Sequence, residues 1–218
     1  MRIHATTTLL YSLVTAAATT AQVTGDPDGI NDFKSDGPFA LHVKGQARNS
    51  SVDGYVSTLP TFGTEWLLQY GPGNHPQADN SSYRFYFNYT GEMKSQDAEV
   101  GFFVTDYPVE ETNQFGFKGK AVSLQFDLNT NIGTPVIGIG TAALAGFNVE
   151  NKAFLTHYMD DSTAAPGKRP VSQDYRYYNW AVCWQASSNV YAPILSWVTT
   201  GQPHNPTCEL VDLVRINL

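Results

Sequence analysis

Apolar and polar residues alternate with a period of two along much of this chain. The segment "AVSLQFDL" shows the period most clearly, because its apolar residues fall at every second position, at Val122, Leu124, Phe126 and Leu128. A strand that buries one face and exposes the other has this period. Further short segments, rich in β-branched and aromatic residues and ended by Gly, Pro or Asn, predict more strands: "FALHV", "YVSTL", "EWLLQY", "VGFFVT", "PVIGIGT", "AFLTHY", "WAVCW", "APILSWV" and "ELVDLVRI".

The same pattern predicts the fold class. After residue 38 no stretch has a convincing helical period, and only "TAALAG", residues 141–146, is predicted to form one short helical turn. Many short strands with frequent turn residues are typical of a sandwich or a barrel. At 218 residues the chain can bury one sizeable core. We therefore predict a single all-β domain at residues 39–218, an antiparallel β-sandwich, with a closed β-barrel or a β-trefoil as the alternative.

The segment "RFYFNYTGE" places a glycosylation sequon inside a predicted strand. Four rings lie on one face of that strand, at Tyr83, Phe85, Phe87 and Tyr89. Asn88 lies on the other face with Arg84, so we expect the strand to bury its rings and present Asn88 to solvent. Asn49 and Asn80 begin two further sequons. We predict glycosylation at all three asparagines.

The first 21 residues have the order of a secretory signal peptide. Arg2 and His4 precede a mildly apolar stretch at residues 9–18, and small residues follow up to Ala21. This stretch is too short to span a bilayer. We therefore predict cleavage after Ala21 or Ala18, and a secreted, extracellular protein without membrane insertion. Residues 22–38, rich in Gly, Asp and Pro, are predicted to form a flexible leader.

Charge and motif spacing exclude several partners. The formal net charge is −7, and the 13 basic residues form no run, which argues against nucleic acid and against anionic membrane surfaces. No two His residues have metal-ligand spacing, and we predict neither metal nor cofactor. "GIGTAA", residues 138–143, matches a dinucleotide fingerprint, but no adequate helix follows it. Its glycines are better explained as allowing close packing of a strand.

The chain has two cysteines, Cys183 and Cys208. In an oxidising compartment we expect them to form a disulfide, with two buried free thiols as the alternative. Closing that loop stabilises the fold by about 3.5 kcal/mol in the chain-entropy model.

Catalytic signatures are sparse in the sequence. There is no G-x-S-x-G motif, so the usual hydrolase nucleophile elbow is missing. His157 stands close to Asp160 and Asp161, but acidic residues after a strand are typical of a turn. A glycosidase needs two facing carboxylates. Three carboxylates in or near predicted strands keep that enzyme class open: Glu65, Glu99 and Asp127.

The densest chemical signal is aromatic. Residues 174–184, "DYRYYNWAVCW", contain five rings, and flat rings stack on sugars or on partner proteins. We expect Trp180 and Val182 to alternate into the core and Trp184 to pack around the disulfide. The better candidates for ligand contact are Tyr175, Tyr177 and Tyr178.

The last 45 or so residues resemble a family of small secreted fungal proteins of unknown function. The resemblance rests on "WAVC", "PILSW" and "PTCELVDLVRI", that is, on Trp180, Val182, Cys183, Pro193, Trp197, Pro206, Cys208, Val211 and Leu213. It implies a secreted β-domain with one disulfide and a fungal source. It supplies no catalytic residue.

These observations favour a non-catalytic, secreted protein that binds polysaccharide or an extracellular protein, such as one from a host. A secreted glycoside-active enzyme with a carboxylate pair is the alternative, and a cleft with two facing carboxyl groups would indicate it. An apolar cavity would instead indicate a carrier of a small ligand. A flat aromatic patch would support binding to polysaccharide or protein.

Overall fold

A computed structural model describes residues 34–61, 65–93, 98–106, 120–138, 140–159, 161, 164–170, 172–187 and 190–218. These residues form β-strands and two short 3₁₀ turns, Ser81–Tyr83 and Gly91–Met93. The strands, numbered in chain order, are β1 (Lys34–Gly45), β2 (Asp53–Pro60), β3 (Trp66–Pro72), β4 (Phe85–Tyr89), β5 (Ala98–Thr105), β6 (Lys120–Phe126), β7 (Ile132–Ile137), β8 (Ala145–Asn148), β9 (Ala153–Met159), β10 (Ser172–Tyr177), β11 (Trp180–Ser187), β12 (Val190–Val198) and β13 (Glu209–Asn217).

The strands pair in one antiparallel arrangement. The order of neighbours is β10-β9-β8-β5-β4-β1-β13-β11-β12-β3-β7-β6, and β2 pairs with both β1 and β3. β5 also pairs with β6, through Val104↔Ala121 and Thr105↔Lys120. β6, the last strand in this order, therefore lies beside β5, which is in its interior. The prediction of an all-β antiparallel fold is confirmed, and the pairing of a folded-over sheet around one core fits the predicted sandwich.

One main cluster of apolar side chains fills the space between the strands. Phe147 is at its aromatic centre, with ring centroids 5.4 Å from Phe39, 5.3 Å from Phe87 and 5.0 Å from Phe103. Trp180 packs edge-on against Trp197 from another side of the core, and its indole N–H donates to the Ala153 carbonyl at 2.9 Å. Burying these rings supplies much of the driving force for folding.

Residues 180–183 of β11 and 194–198 of β12 are buried, so this part of the hairpin is covered on both faces. Its second face carries two smaller apolar clusters, one of Leu67, Val136, Ala192 and Ile194 and one of Ile132, Ala181, Cys183 and Val198. Strands covered on both faces have little freedom to move, so this hairpin is a rigid support for the residues at its end.

The fold begins earlier than the predicted boundary at Phe39. Residues 34–38 belong to β1, where Lys34 pairs with Tyr89 and Ser35 with Asn88. These first residues are polar, so the hydrophobic pattern gave no sign of a strand. The predicted signal peptide at residues 1–21 and the leader up to residue 33 lie outside the described residues.

The predicted helical turn at residues 141–146 is wrong. Ala142 forms a bridge with Ser123, and β8 begins at Ala145 and pairs with β5. Close strand packing explains the glycine in this segment, because a Cβ added at Gly146 would lie 2.2 Å from the Glu99 carbonyl oxygen.

Candidate functional site

An exposed pair of aromatic rings lies near the end of the β11–β12 hairpin. Trp184 is 47% exposed and Tyr191 is 66% exposed. In the register of the hairpin, Trp184 lies opposite Pro193 and Tyr191 opposite Ala186. Because side chains alternate along a strand, Trp184 continues the face of Trp180, which is buried in the core. The face therefore runs from the core out into solvent, where it ends in these two rings.

The two rings, called the aromatic pair below, are held next to one another. Their centroids are 5.3 Å apart and their planes meet at 37°. The Trp184 backbone N–H donates to Thr207 Oγ1 at 3.0 Å, and the Trp184 carbonyl accepts from Asn205 Nδ2 at 3.0 Å. Thr207 in turn donates to Asn205 Oδ1 at 2.7 Å. The two side chains take the place of a neighbouring strand, and they fix the backbone that carries the indole.

The predicted disulfide is confirmed, and it braces the same site. Cys183 and Cys208 are bonded, with Cα atoms 4.0 Å apart. They directly adjoin Trp184 and Thr207 in the chain, so the covalent link and the hydrogen bonds join the same two segments. The backbone that carries Trp184 is held in this way, and it therefore loses little further entropy when the residue binds a ligand.

The expectation that Trp184 packs around the disulfide is wrong. Cys183 points to the opposite face of β11, where it packs with Ile132, Ala181 and Val198. The strand alternation that buries Cys183 on one face sends Trp184 to the other. Trp180 and Val182 are buried in the core as predicted.

The three predicted contact tyrosines do not form one exposed patch. All three are half-buried. Tyr175 and Tyr177 stack with centroids 6.0 Å apart, whereas Tyr178 packs edge-on against Phe154 at 5.7 Å. Tyr177 also packs against the main core. Their role in ligand contact stays a prediction, and the more exposed rings are those of the aromatic pair.

Two of the three sequons are accessible. Asn49 and Asn80 are exposed, although Asn80 Oδ1 accepts a hydrogen bond from the Ser82 N–H at 3.2 Å. The expectation that Asn88 faces solvent is wrong, because its side chain is only 3% exposed. β4 lies between β1 and β5, so Asn88 has strand neighbours on both sides. Its Oδ1 atom is buried and has no hydrogen-bond partner among the described residues.

One of the candidate carboxylates has a structural partner. Glu99 Oε2 lies 3.1 Å from Arg215 Nη1, and Asp36 Oδ2 lies 3.5 Å from the same nitrogen. The guanidinium also stacks 4.4 Å from the centroid of Phe147. Glu99 therefore takes part, with Arg215 and Asp36, in two linked ion pairs that join β5, β13 and β1. Glu65 is half-buried and Asp127 is exposed.

The remaining sequence motifs have structural explanations within the described residues. β7 ends at Ile137, and Gly138 and Gly140 follow with φ of 109° and 81°. These glycines are therefore needed for a turn rather than for packing inside a strand, and the described chain continues into β8 rather than a helix. In the described ranges, no group of three or more His, Cys, Asp or Glu residues is placed to hold a metal ion.

Comparisons with known proteins give no relative. No family model, no curated protein and no solved structure matches the chain. The described residues contain no helix that is long and apolar enough to cross a membrane.

Proposed function

We propose that this protein is a secreted, non-catalytic extracellular protein that binds neutral polysaccharide through the aromatic pair. The observation that carries the proposal is the exposure of Trp184 and Tyr191 side by side on a braced hairpin. Two adjacent exposed rings form a surface for contact, and no second group beside them is needed for binding.

The chemistry of stacking favours a sugar. One face of a pyranose ring presents several C–H bonds whose hydrogens carry a small positive charge. The face of an aromatic ring carries negative charge from its quadrupole, so the two surfaces attract and exclude water. Two adjacent rings offer stacking positions for neighbouring sugars along a chain.

The small size of the patch favours polysaccharide over a protein partner. A stable protein interface buries roughly 1,200–2,000 Å² in total, which is far more than two rings provide. A polysaccharide offers the same sugar face many times, so a protein that leaves one sugar finds another close by. The residues that brace the pair, Asn205 and Thr207, are polar and uncharged, and such groups suit the hydroxyls of a sugar.

The charge of the chain favours a neutral polysaccharide. At a formal net charge of −7, the protein repels chains rich in uronate or sulfate. Cellulose, chitin and β-1,3-glucan carry no such groups and are therefore the appropriate test materials.

Secretion is the other part of the proposal. The disulfide supports folding in an oxidising compartment, and the exposed Asn49 and Asn80 offer accessible sequons. These features agree with the predicted signal peptide at residues 1–21 and with the resemblance to small secreted fungal proteins. Glycosylation is proposed at Asn49 and Asn80.

A depletion assay tests the proposed function. Purified protein is mixed with insoluble cellulose, chitin, β-1,3-glucan or, as an acidic comparison, calcium polygalacturonate, and free protein and released sugars are both measured. We expect retention on at least one neutral polysaccharide, no released sugar, and at least about tenfold weaker retention for Trp184→Ala, a change of about 1.4 kcal/mol. Tyr191→Ala should also weaken retention on that polysaccharide.

The matched control is Leu128→Ala, since Leu128 is 96% exposed and lies outside the aromatic pair. It should bind like the parent. Release of sugar from any polysaccharide would overturn the non-catalytic assignment, and equal retention of Trp184→Ala and parent would remove the aromatic pair from the binding surface.

A further inference from the structure

A concave feature lies away from the aromatic pair. It is an open cleft of about 680 Å³, which is within the range of roughly 300–1,000 Å³ typical of small-molecule sites. Its apolar lining comes from β6, the segment before β8, and β9, β10 and β12, and its large side chains are Leu124, Phe126, Leu144, Leu155, Tyr177 and Trp197. Neither Trp184 nor Tyr191 contributes to it.

The cleft exposes apolar side chains that a ligand would cover. Phe126 is 56% exposed and Leu144 is 39% exposed. Leaving such groups in water is unfavourable. Deeper in the lining, Leu155 and Trp197 belong to the main core. The cleft is therefore an opening onto the core rather than a groove between loops.

Hydrogen bonds hold the walls in place. The Thr156 N–H donates to the Leu144 carbonyl at 3.0 Å, which ties the segment before β8 to β9. The Thr156 hydroxyl donates to the Tyr175 carbonyl at 2.7 Å, which ties β9 to β10. Because three segments of the wall are joined in this way, the cleft is formed before any ligand arrives, and binding has little ordering cost.

The charged groups that line the cleft favour one sign of ligand charge. Among the described residues that line the cleft, Asp161 is the one carboxylate and His157 is the one imidazole, and no Lys or Arg side chain contributes. The chain as a whole carries −7. Among these described residues an anion has no fixed positive partner, whereas a cation is attracted both by Asp161 and by the overall field.

We propose that this cleft binds a small amphipathic amine, that is, an aromatic or aliphatic body with a protonated amino group. The body covers the apolar wall around Phe126 and Leu144, and the ammonium group lies toward Asp161. This site is separate from the polysaccharide surface, and the proposal holds whether or not the aromatic pair binds sugar.

Three probes with the same apolar body distinguish the affinity that comes from apolar burial from the affinity that comes from charge. They are 3-phenylpropylamine, 3-phenylpropan-1-ol and 3-phenylpropanoate. Each is titrated into the full protein at pH 7 and followed by calorimetry and by tryptophan fluorescence, because Trp197 lines the cleft. We expect the amine to bind most tightly, the alcohol less tightly, and the carboxylate at least about tenfold more weakly than the amine. A carboxylate that binds as well as the amine would overturn the proposal, as would an amine that shows no binding at millimolar concentration.

Three variants locate the site. Leu144→Arg should abolish amine binding, because it places bulk and positive charge in the cleft, whereas Leu128→Arg, at the 96% exposed control position, should have no effect. Asp161→Asn should bring the affinity for the amine down to that for the alcohol. Circular dichroism and thermal unfolding check that each variant is folded.

Retention on polysaccharide gives the independent readout. Leu144→Arg should bind polysaccharide like the parent but should not bind the amine. Trp184→Ala should bind the amine like the parent but should bind polysaccharide more weakly. Amine binding that survives Leu144→Arg, or that is lost in Leu128→Arg, would show that the amine binds elsewhere.

Discussion

At the residue scale, Trp184 shows what alternation predicts and where it stops. The pattern of "WAVCW" correctly sends Trp180 and Val182 into the core. It also places Trp184 on the same face of β11 as Trp180 and Val182. It does not show at which residue of the strand the neighbouring side chains cease to cover this face. That limit depends on how far the hairpin extends beyond its partner strands, which is a property of the tertiary structure. The exposed indole was missed for this reason.

Gly54 and Gly71 offer a sharp test of close strand packing. A Cβ added at Gly54 would lie 2.2 Å from the Gly71 carbonyl oxygen and 2.9 Å from the Pro72 Cα, and neither backbone atom can move cheaply. At Gly71 the nearest atom would be the Tyr83 hydroxyl at 3.9 Å. We expect Gly54→Ala to lower the free energy of unfolding by about 1–3 kcal/mol and Gly71→Ala to change it little. Urea unfolding measures both, and equal effects would contradict the described packing of β2 on β3.

Tyr86 should make the stability depend on alkaline pH. Burial, and then the hydrogen bond to Asp106 and the negative charge of that residue, raise the pKa of the Tyr86 phenol above its usual value of 10.0, although Arg84 partly opposes the shift. Above pH 10 the unfolded chain therefore loses this proton before the folded chain does, and the stability that Tyr86 contributes is lost as the pH rises further.

The measurement compares the parent with Tyr86→Phe. The urea midpoint of each is followed from pH 9 to pH 11, since both proteins share all other tyrosines. We expect the advantage of the parent over the variant to shrink across this range. Two curves that stay parallel would show that the Tyr86 phenol has the same pKa in the folded and unfolded chains.

At the scale of elements, the strands that the sequence predicts are those with apolar alternation. β6 and β12 follow from their patterns, whereas β8 and β10 were missed. β8 has the sequence "AGFN" and contributes one large side chain, Phe147. β10 is largely polar. Both strands are set by pairing with neighbours, which no local pattern records.

The disulfide should matter both to stability and to the aromatic pair. It closes a separation of 25 residues, which corresponds to about 3.5 kcal/mol in the chain-entropy model. We expect Cys183→Ser combined with Cys208→Ser to lower the melting temperature markedly and also to weaken retention on polysaccharide, because the support of Trp184 is loosened. Thermal unfolding and the depletion assay measure the two effects.

Reductant provides the control for this prediction. Treating the parent with dithiothreitol should reproduce the loss of stability, and the double variant should be insensitive to it. A double variant as stable as the parent would show that the bridge contributes nothing measurable.

At the scale of the whole molecule, long-range contacts decide which candidate residues are available for function. Arg215 comes from the last strand, yet it pairs with Glu99 in β5 and approaches Asp36 in β1. The sequence marks Glu99 as a candidate carboxylate and gives no sign of this partner. In the same way, the cleft brings Tyr177 to the same lining as His157 and Asp161, although the sequence presents that tyrosine as a separate signal.

The central claim is that Trp184 contacts a neutral sugar chain, and the indole N–H signals in a nitrogen–proton NMR spectrum test it most directly. The chain has four tryptophans, and the signal of Trp184 is assigned by its loss in Trp184→Phe. On titration with cello-, chito- and laminari-oligosaccharides, we predict that one series shifts the Trp184 signal, while those of the buried Trp180 and Trp197 stay in place. A Trp184 signal that stays unmoved with all three sugars would contradict the account.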